Sequence, residues 1–226
     1  MPNNTALLDR ITIEPTTTAT SCVIWLHGLG DSGAGFAPVV PLLNLPSNHS
    51  IRFIFPNAPE QAVTINNGFS MPAWYDIKSN DLHNRADMGG VLASELLVHA
   101  LIQEQIDNGI AAENIALVGF SQGGVMSLFT GLRYPKKLAA IAALSCYLPT
   151  KDQLPSELSS ANKSTAILQH HGKLDEVVPM SAGEVAHKLL KAEGYQTQWK
   201  TYSMAHSVLP QQLDEIGAWL KNHLIE

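Results

Sequence analysis

Cysteine is scarce in this chain, which has only two among its 226 residues. Cys22 and Cys146 are far apart, and each lies within an apolar run. This spacing excludes a disulfide framework and a Cys-x-x-Cys metal or redox site. The sequence therefore predicts two buried thiols.

Positive charge is also in short supply. The chain has 14 Lys and Arg against 20 Asp and Glu, a net charge of −6. Proteins that bind nucleic acids need clustered basic side chains to contact phosphates. Because no such cluster is present, we expect no nucleic-acid partner.

Long apolar runs are missing as well. No run approaches the ~18 apolar residues of a membrane span, and the first residues lack the basic and apolar regions of a signal peptide. We therefore expect a cytoplasmic protein without a stable membrane anchor.

Neither metal-ligand spacing nor a phosphate-binding motif occurs in the sequence. His170 and His171 are adjacent, so their side chains diverge on a strand. The glycine-rich segment 28–33 matches neither G-x-x-x-x-G-K-[ST] nor G-x-G-x-x-G. We expect no metal, no nucleotide and no other cofactor.

Apolar residues, by contrast, are plentiful, at 45% against 15% charged residues. This composition is typical of a globular protein with a sizeable core, and the length favours one domain over residues 1–226. Continuously apolar runs, typical of strands in a parallel sheet, occur at 22–26, 51–55, 115–120, 139–144 and 166–170. A further strand is expected at 196–202, and helices at 86–108, 124–134, 180–193 and from Pro210 onward.

This alternation predicts an α/β fold with a mostly parallel central sheet and helices on both faces. The segment 57–85 has no clear period and is long for a connection. We expect it to be a functional loop, anchored by apolar side chains such as Met71 and Trp74.

The segment Gly119-Phe120-Ser121-Gln122-Gly123 matches G-x-S-x-G between a predicted strand and a predicted helix. A strand that turns abruptly into a helix places the central serine in a strained conformation, and small flanking residues keep its Oγ exposed. The helix that follows directs its free N–H groups toward a developing oxyanion. Ser121 is therefore a candidate nucleophile.

A serine hydroxyl is a poor nucleophile at neutral pH, so a base must accept its proton and an acid must orient that base. After such a serine, the acid and then the base follow along the chain. Asp175 comes just after the 166–170 strand, at the edge where such sheets carry their sites. Its neighbour Glu176 is the rival for the acid.

Among the histidines that follow the acid, His206 is the best placed to act as the base. It lies in a loop between the last strand and the last helix, whereas His187 and His223 fall within helices. The glycine-rich turn after the first strand brings a backbone N–H toward the reacting carbonyl. We assign this oxyanion donor to Leu29, paired with the N–H of Gln122; His27 and Asp31 are expected to fix the loop by hydrogen bonds.

Taken in this order, the motifs resemble those of the phospholipase/carboxylesterase family, which includes acyl-protein thioesterases and bacterial carboxylesterases. The resemblance runs from about Thr20 to the C-terminus. It is carried by the segments WLHGLGDSG (25–33), MPAWYD (71–76), GFSQGG (119–124) and HGKLD (171–175), followed by Val178-Pro179 and His206-Ser207.

The resemblance implies an α/β-hydrolase fold, a triad of Ser121, Asp175 and His206, and oxyanion donors at Leu29 and Gln122. In two places the chain departs from the family. Tyr147 stands where the family often has Trp, which bears on the acyl pocket. The eukaryotic thioesterases carry a palmitoylated cysteine near the start, whereas this chain begins Met1-Pro2-Asn3, so membrane anchoring does not transfer.

The expected function is serine-dependent hydrolysis of a small ester or acylated substrate, a carboxylic ester or an acyl-thioester, through an acyl-enzyme. The alternatives are a lysophospholipase and a catalytically silent binding protein of the same fold. A weak homodimer is left open. Apolar side chains near the motifs predict a cleft that accepts short-to-medium or longer acyl chains; its predicted wall residues are Leu29, Met71, Trp74, Tyr147, Val177 and Leu209.

Overall fold

The computed structural model describes residues 8–82, 84–149 and 157–225. Residues 1–7, on which the expected absence of a leader and of a lipid anchor depends, lie outside the described residues. The strands are β1 (Arg10–Ile13), β2 (Ser21–Leu26), β3 (Ile51–Pro56), β4 (Glu60–Val63), β5 (Phe69–Pro72), β6 (Ile115–Phe120), β7 (Ala140–Leu144), β8 (Ala166–Gly172) and β9 (Thr197–Tyr202). The α-helices are α1 (Gly33–Phe36), α2 (Met88–Asp107), α3 (Gln122–Arg133), α4 (Met180–Ala192) and α5 (Pro210–Leu224).

Seven of these strands form the central sheet, in the order β1-β3-β2-β6-β7-β8-β9. All neighbours pair in parallel except β1, which runs antiparallel to β3 at one edge. Alternate side chains of a strand point to opposite faces. Ile24 and Leu117 pack with residues of α2, α3 and α4 on one face, while Trp25 and Val118 pack with residues of α1 and α5 on the other.

Helices on both faces explain why the central strands are apolar at nearly every position. The residues of β2, for example, are all buried. The predicted α/β architecture, with a mostly parallel sheet between helices, is confirmed.

Two parts of the fold differ from the expectation. Strand β1 was not predicted, since it is only four residues long and lies largely exposed at the edge of the sheet. The segment 57–85 is not a loop throughout, because β4 and β5 pair in it as an antiparallel hairpin. The hairpin depends on main-chain pairing, and its mostly exposed or half-buried side chains leave no apolar alternation in the sequence.

The topology brings three turns together. Strands β6, β8 and β9 are parallel, so the segments that follow them emerge at the same edge of the sheet. These segments carry Ser121, Asp175 and His206, and the segment after β2 carries Leu29.

Near the end of β8, His170 is buried in the core and stacks edge-on against Tyr202. Burial lowers the pKa of His170 from 6.5 to about 4; nearby Glu215 opposes this effect and Lys200 adds to it. The unfolded chain therefore takes up a proton on this imidazole at a higher pH than the folded chain does. As the pH falls below about 6.5 the folded state loses stability.

We predict that this residue alone removes about 2 kcal/mol from the free energy of unfolding between pH 7 and pH 5. Urea unfolding followed by circular dichroism at both pH values measures the loss. His170→Gln cannot take up this proton and should show a correspondingly smaller loss. Equal losses in the wild type and the variant would show that His170 does not govern this dependence.

Candidate active site

Ser121 occupies the turn between β6 and α3 in a conformation that side chains rarely adopt, with φ of 54° and ψ of −118°. Its N–H donates to the carbonyl of Leu144 at 2.8 Å, which ties the turn to β7. Both flanking positions require glycine because backbone atoms of neighbouring segments approach them closely. A β-carbon at Gly123 would collide with the carbonyl oxygen of Leu26, and one at Gly119 with that of Gly123. The turn is therefore tight and strained, and it presents the Ser121 side chain at the edge of the sheet.

Ser121, His206 and Asp175 form one continuous chain of hydrogen bonds. His206 Nε2 lies 2.8 Å from Ser121 Oγ, and His206 Nδ1 lies 2.7 Å from Asp175 Oδ2. The structure thus brings together all three residues proposed from the sequence. With Nδ1 protonated toward Asp175, Nε2 is free to accept the hydroxyl proton of Ser121.

The Asp175 carboxylate is held in place from several sides. Its Oδ1 accepts hydrogen bonds from the N–H groups of Val177 at 3.0 Å and Val178 at 2.8 Å. His171 Nε2 lies 3.6 Å from Oδ2 and donates to the Val178 carbonyl, while burial lowers the pKa of His171. This arrangement leaves Oδ2 directed at His206.

Glu176, the rival acid, lines the cavity beside the site but, within the part of the chain that the structure describes, is not bonded to His206. Its side chain is exposed. The difference between the two neighbours arises from the turn, since only Asp175 is captured by the backbone N–H groups that follow it.

The backbone N–H groups of Leu29 and Gln122 are available to a ligand. Gln122 is the first residue of α3, where an N–H has no helical acceptor. Gly28 packs on Ser121, since a β-carbon at this glycine would lie 3.5 Å from that of the serine. Across the described residues, neither N–H donates to a protein acceptor.

Hydrogen bonds hold the loop that carries Leu29 in a fixed conformation. His27 Nε2 accepts from the N–H of Ala58 at 3.0 Å, so Nδ1 carries the proton and donates to the Gly28 carbonyl at 2.6 Å. Burial lowers the pKa of His27 and so favours this neutral form. Asp31 accepts from the N–H of Ser32 at 2.7 Å. Both residues fix the loop, as the sequence predicted.

The side chain of Gln122 has a role that the motif did not indicate. Its Oε1 accepts from the N–H of Trp74 at 2.7 Å, and its Nε2 donates to the carbonyl of Tyr75 at 2.6 Å. The amide thereby fastens the segment after the β4–β5 hairpin to the start of α3. Only the position of Gln122 beside the serine could have drawn attention to it.

A cavity of about 440 Å³ opens beside Ser121 and His206. Its other lining residues are Gly28, Leu29, Asp31, Ile65, Asn66, Ile77, Asn80, Arg85, Phe120, Glu176 and Val177. Leu29 and Val177 thus lie in the wall, where the sequence placed them. Ile65, Ile77 and Phe120 are further apolar wall residues that the sequence did not single out.

The other four predicted wall residues lie outside this lining. Trp74 is fully buried, and its indole Nε1 donates to the His27 carbonyl at 2.9 Å. Tyr147 is also buried, with its hydroxyl 3.4 Å from that of Tyr75. Met71 accepts a hydrogen bond from Asn66 on the hairpin, and Leu209 precedes the first turn of α5.

These four residues therefore do not line this cavity, and their place in an acyl cleft stays a prediction. Proximity to a motif in sequence does not fix the direction of a side chain. Large aromatic groups such as Trp74 gain more from packing in the core than from lining a cleft.

Elsewhere, the described residues contain no group of three or more His, Cys, Asp or Glu placed to hold a metal ion. Cys22 and Cys146 are buried free thiols, as expected from the sequence. Over residues 8–82, 84–149 and 157–225, no helix has the length and apolar character needed to cross a bilayer.

Comparison with known proteins gives consistent matches over nearly the whole chain. The model of the phospholipase/carboxylesterase family matches residues 9–224. Acyl-protein thioesterase 1 of Gibberella zeae is 40% identical over 214 residues, which cover 91% of each chain. A probable carboxylesterase of Oryza sativa subsp. japonica is 37% identical over 207 residues, covering 90% of this chain and 78% of the relative.

Solved structures agree with these matches. SOBER1 of Arabidopsis thaliana superposes with a TM-score of 0.85 at 35% identity, covering 90% of this chain and 99% of the other. Acyl-protein thioesterase 2 of Zea mays gives a TM-score of 0.84 at 28% identity, covering 96% and 99%.

Proposed function

The chain belongs to the phospholipase/carboxylesterase family, and on this premise we propose that it hydrolyses carboxylic esters or acyl-thioesters through an acyl-enzyme formed on Ser121. One observation carries the assignment of residues. The hydroxyl of Ser121, the imidazole of His206 and the carboxylate of Asp175 are joined by hydrogen bonds of 2.8 and 2.7 Å. This arrangement activates a serine for attack on a carbonyl carbon.

Acylation begins as Ser121 Oγ attacks the carbonyl carbon and His206 Nε2 accepts the hydroxyl proton. Asp175 keeps the other proton on Nδ1 and stabilises the imidazolium. The tetrahedral oxyanion accepts hydrogen bonds from the N–H groups of Leu29 and Gln122, and the latter also lies at the positive end of the α3 dipole. His206 then gives its proton to the departing alcohol or thiol.

Deacylation repeats these steps with water as the nucleophile. His206 takes a proton from a water molecule, the resulting hydroxide attacks the acyl-enzyme, and the oxyanion forms again at the same donors. The carboxylic acid then leaves, and Ser121 recovers its proton. His206 carries every proton that moves in these two half-reactions.

The substrate is a small ester or acylated molecule, the class that the names of the relatives indicate. The cavity beside Ser121 combines apolar walls with a polar side, as binding sites for small molecules commonly do. Each methylene that leaves water on binding contributes about 0.8 kcal/mol. The apolar wall of Leu29, Ile77 and Val177 therefore favours acyl chains longer than acetyl.

This proposal is tested by a panel of p-nitrophenyl esters with two-, four- and eight-carbon acyl groups, beside an acyl-thioester and a lysophospholipid. We expect kcat/KM to rise severalfold for each two carbons until the cavity is filled. Turnover of the lysophospholipid alone would favour a lysophospholipase, and no turnover of any member would favour a silent binding protein.

The position of the acyl group is tested by two matched valine variants. Val177 and Val185 are almost equally exposed, at 49% and 48%, but only Val177 lines the cavity. Val177→Ala should lower kcat/KM for the eight-carbon ester more than for acetate, while Val185→Ala should change neither. Equal losses on both esters in Val177→Ala would place the acyl chain elsewhere.

A further inference from the structure

Arg85 is a buried cation in the wall of the active-site cavity. The residue is only 8% exposed, yet it lines the same cavity as Ser121 and His206. Its Nη1 donates to the carbonyl of Val177 at 3.0 Å. Among the described residues no carboxylate pairs with it, whereas each of the other three arginines pairs with glutamate: Arg10 with Glu104, Arg52 with Glu14, and Arg133 with Glu95 and Glu157.

A guanidinium has five N–H donors and a permanent positive charge. The Val177 carbonyl is the acceptor for one of these donors and carries no net charge. Burying a charge without a counter-ion is unfavourable, so buried arginines are normally paired. The unused donors and the uncompensated charge of Arg85 therefore suit an anion that enters the cavity.

Hydrogen bonds hold the backbone around Arg85 in place. The position at which such an anion would bind is therefore defined. The Arg85 carbonyl accepts from the N–H of Lys78 at 2.8 Å, and Ile77 and Ala86 form an antiparallel bridge. Two residues further on, Asp87 caps the first turn of α2. The Arg85 side chain therefore extends from a backbone that is held in one conformation.

The remaining polar groups of the cavity differ from Arg85 in charge or in exposure to solvent. The amides of Asn66 and Asn80 line the cavity as well and can donate to an anion. The two carboxylates of the lining, Asp31 and Glu176, are both exposed, so water screens their repulsion. Arg85 is the charged group of the lining that is shielded from solvent.

We propose that Arg85 binds an anionic oxygen group, a carboxylate or a phosphate, that the substrate carries near its ester or thioester bond. Both groups match the planar fork of a guanidinium. The enzyme then prefers acidic esters to neutral esters of the same size. This inference rests on the proposed function, because the anion is recognised as part of a substrate of Ser121.

The test compares the mono-p-nitrophenyl ester of glutaric acid, which carries a free carboxylate, with methyl p-nitrophenyl glutarate, in which that group is masked. A charge-assisted hydrogen bond predicts a kcat/KM about tenfold to a hundredfold higher for the acidic ester, mainly through a lower KM. The ratio of the two kcat/KM values should fall to about one in Arg85→Gln and be partly kept in Arg85→Lys. Lys78→Gln, which removes an exposed cation nearby, should keep the ratio.

Inorganic phosphate distinguishes the two anions. A site that suits phosphate predicts competitive inhibition of neutral-ester hydrolysis by phosphate, and that inhibition should be lost in Arg85→Gln. A site that suits carboxylate predicts the glutarate preference with weak inhibition by phosphate. Either pattern supports an anion site at Arg85.

Two results would overturn the proposal. A wild-type ratio near one without inhibition by phosphate would show that no anion binds. If Arg85→Gln lowered kcat/KM equally on both esters and left the ratio unchanged, Arg85 would serve only to hold the Val177 carbonyl and the turn of Asp175. In both cases the proposed function would stand as long as the wild type hydrolyses the neutral ester. If the wild type hydrolysed neither ester, that result would count against the proposed function itself.

Discussion

Ser121→Ala is expected to remove nearly all ester turnover, a loss on the order of 10⁶ in kcat. Without Oγ no acyl-enzyme forms, and only binding and oxyanion stabilisation remain. The measurement is hydrolysis of the preferred p-nitrophenyl ester by a preparation whose unfolding in urea matches that of the wild type. Activity above a few per cent in a clean preparation would exclude Ser121 as the nucleophile.

Ser127→Ala is the matched control. Ser127 lies six residues further along, in α3, and is fully buried, and its Oγ has no hydrogen-bond partner among the described residues. Removing this hydroxyl changes neither the hydrogen-bonded chain at His206 nor the oxyanion donors. Turnover should therefore stay near that of the wild type.

Asp175→Asn is expected to lower kcat by a factor on the order of 10⁴. The new amide can donate to His206 Nδ1, which favours the tautomer with its proton on Nε2. That nitrogen then cannot accept the proton of Ser121. The loss is measured as kcat at saturating ester, since Asp175 is expected to contribute little to substrate binding.

Glu176→Gln tests the same charge change one residue further on. Glu176 is exposed, and of these two acids only Asp175 is hydrogen-bonded to His206 among the described residues, so this variant should lose little activity. A large loss in Glu176→Gln with a small loss in Asp175→Asn would reverse the assignment of the acid.

Much of the central sheet could be predicted from the sequence. Strand β2, for instance, begins within one residue of its prediction, and α4 ends within one residue of its own. The reason is physical: a sheet covered on both faces requires continuous apolar runs, which stand out in the sequence. Elements that gain stability from main-chain pairing, such as β1 and the β4–β5 hairpin, leave no such pattern.

Ser121, Asp175 and His206 were grouped from the sequence, starting from the small residues that a tight strand-to-helix turn demands around the serine. In the structure hydrogen bonds join the three side chains, and their catalytic roles stay proposals. The sequence favoured Asp175 over its rival Glu176, and the structure adds a physical difference between them: only Asp175 accepts from the backbone N–H groups of the turn. The positions of Trp74 and Arg85 depend on tertiary packing, and a segment without periodicity gives no sign of it. The single domain, the cytoplasmic location and a weak homodimer stay predictions.

The proposed mechanism requires an acyl-enzyme on Ser121, so the decisive measurement is labelling with a fluorophosphonate, with the adduct located by peptide mass spectrometry. We expect one adduct per chain on the peptide that contains Ser121, loss of ester hydrolysis in step with labelling, and no adduct in Ser121→Ala. An adduct on a different residue, or full hydrolysis by a protein labelled at Ser121, would rule out Ser121 as the nucleophile.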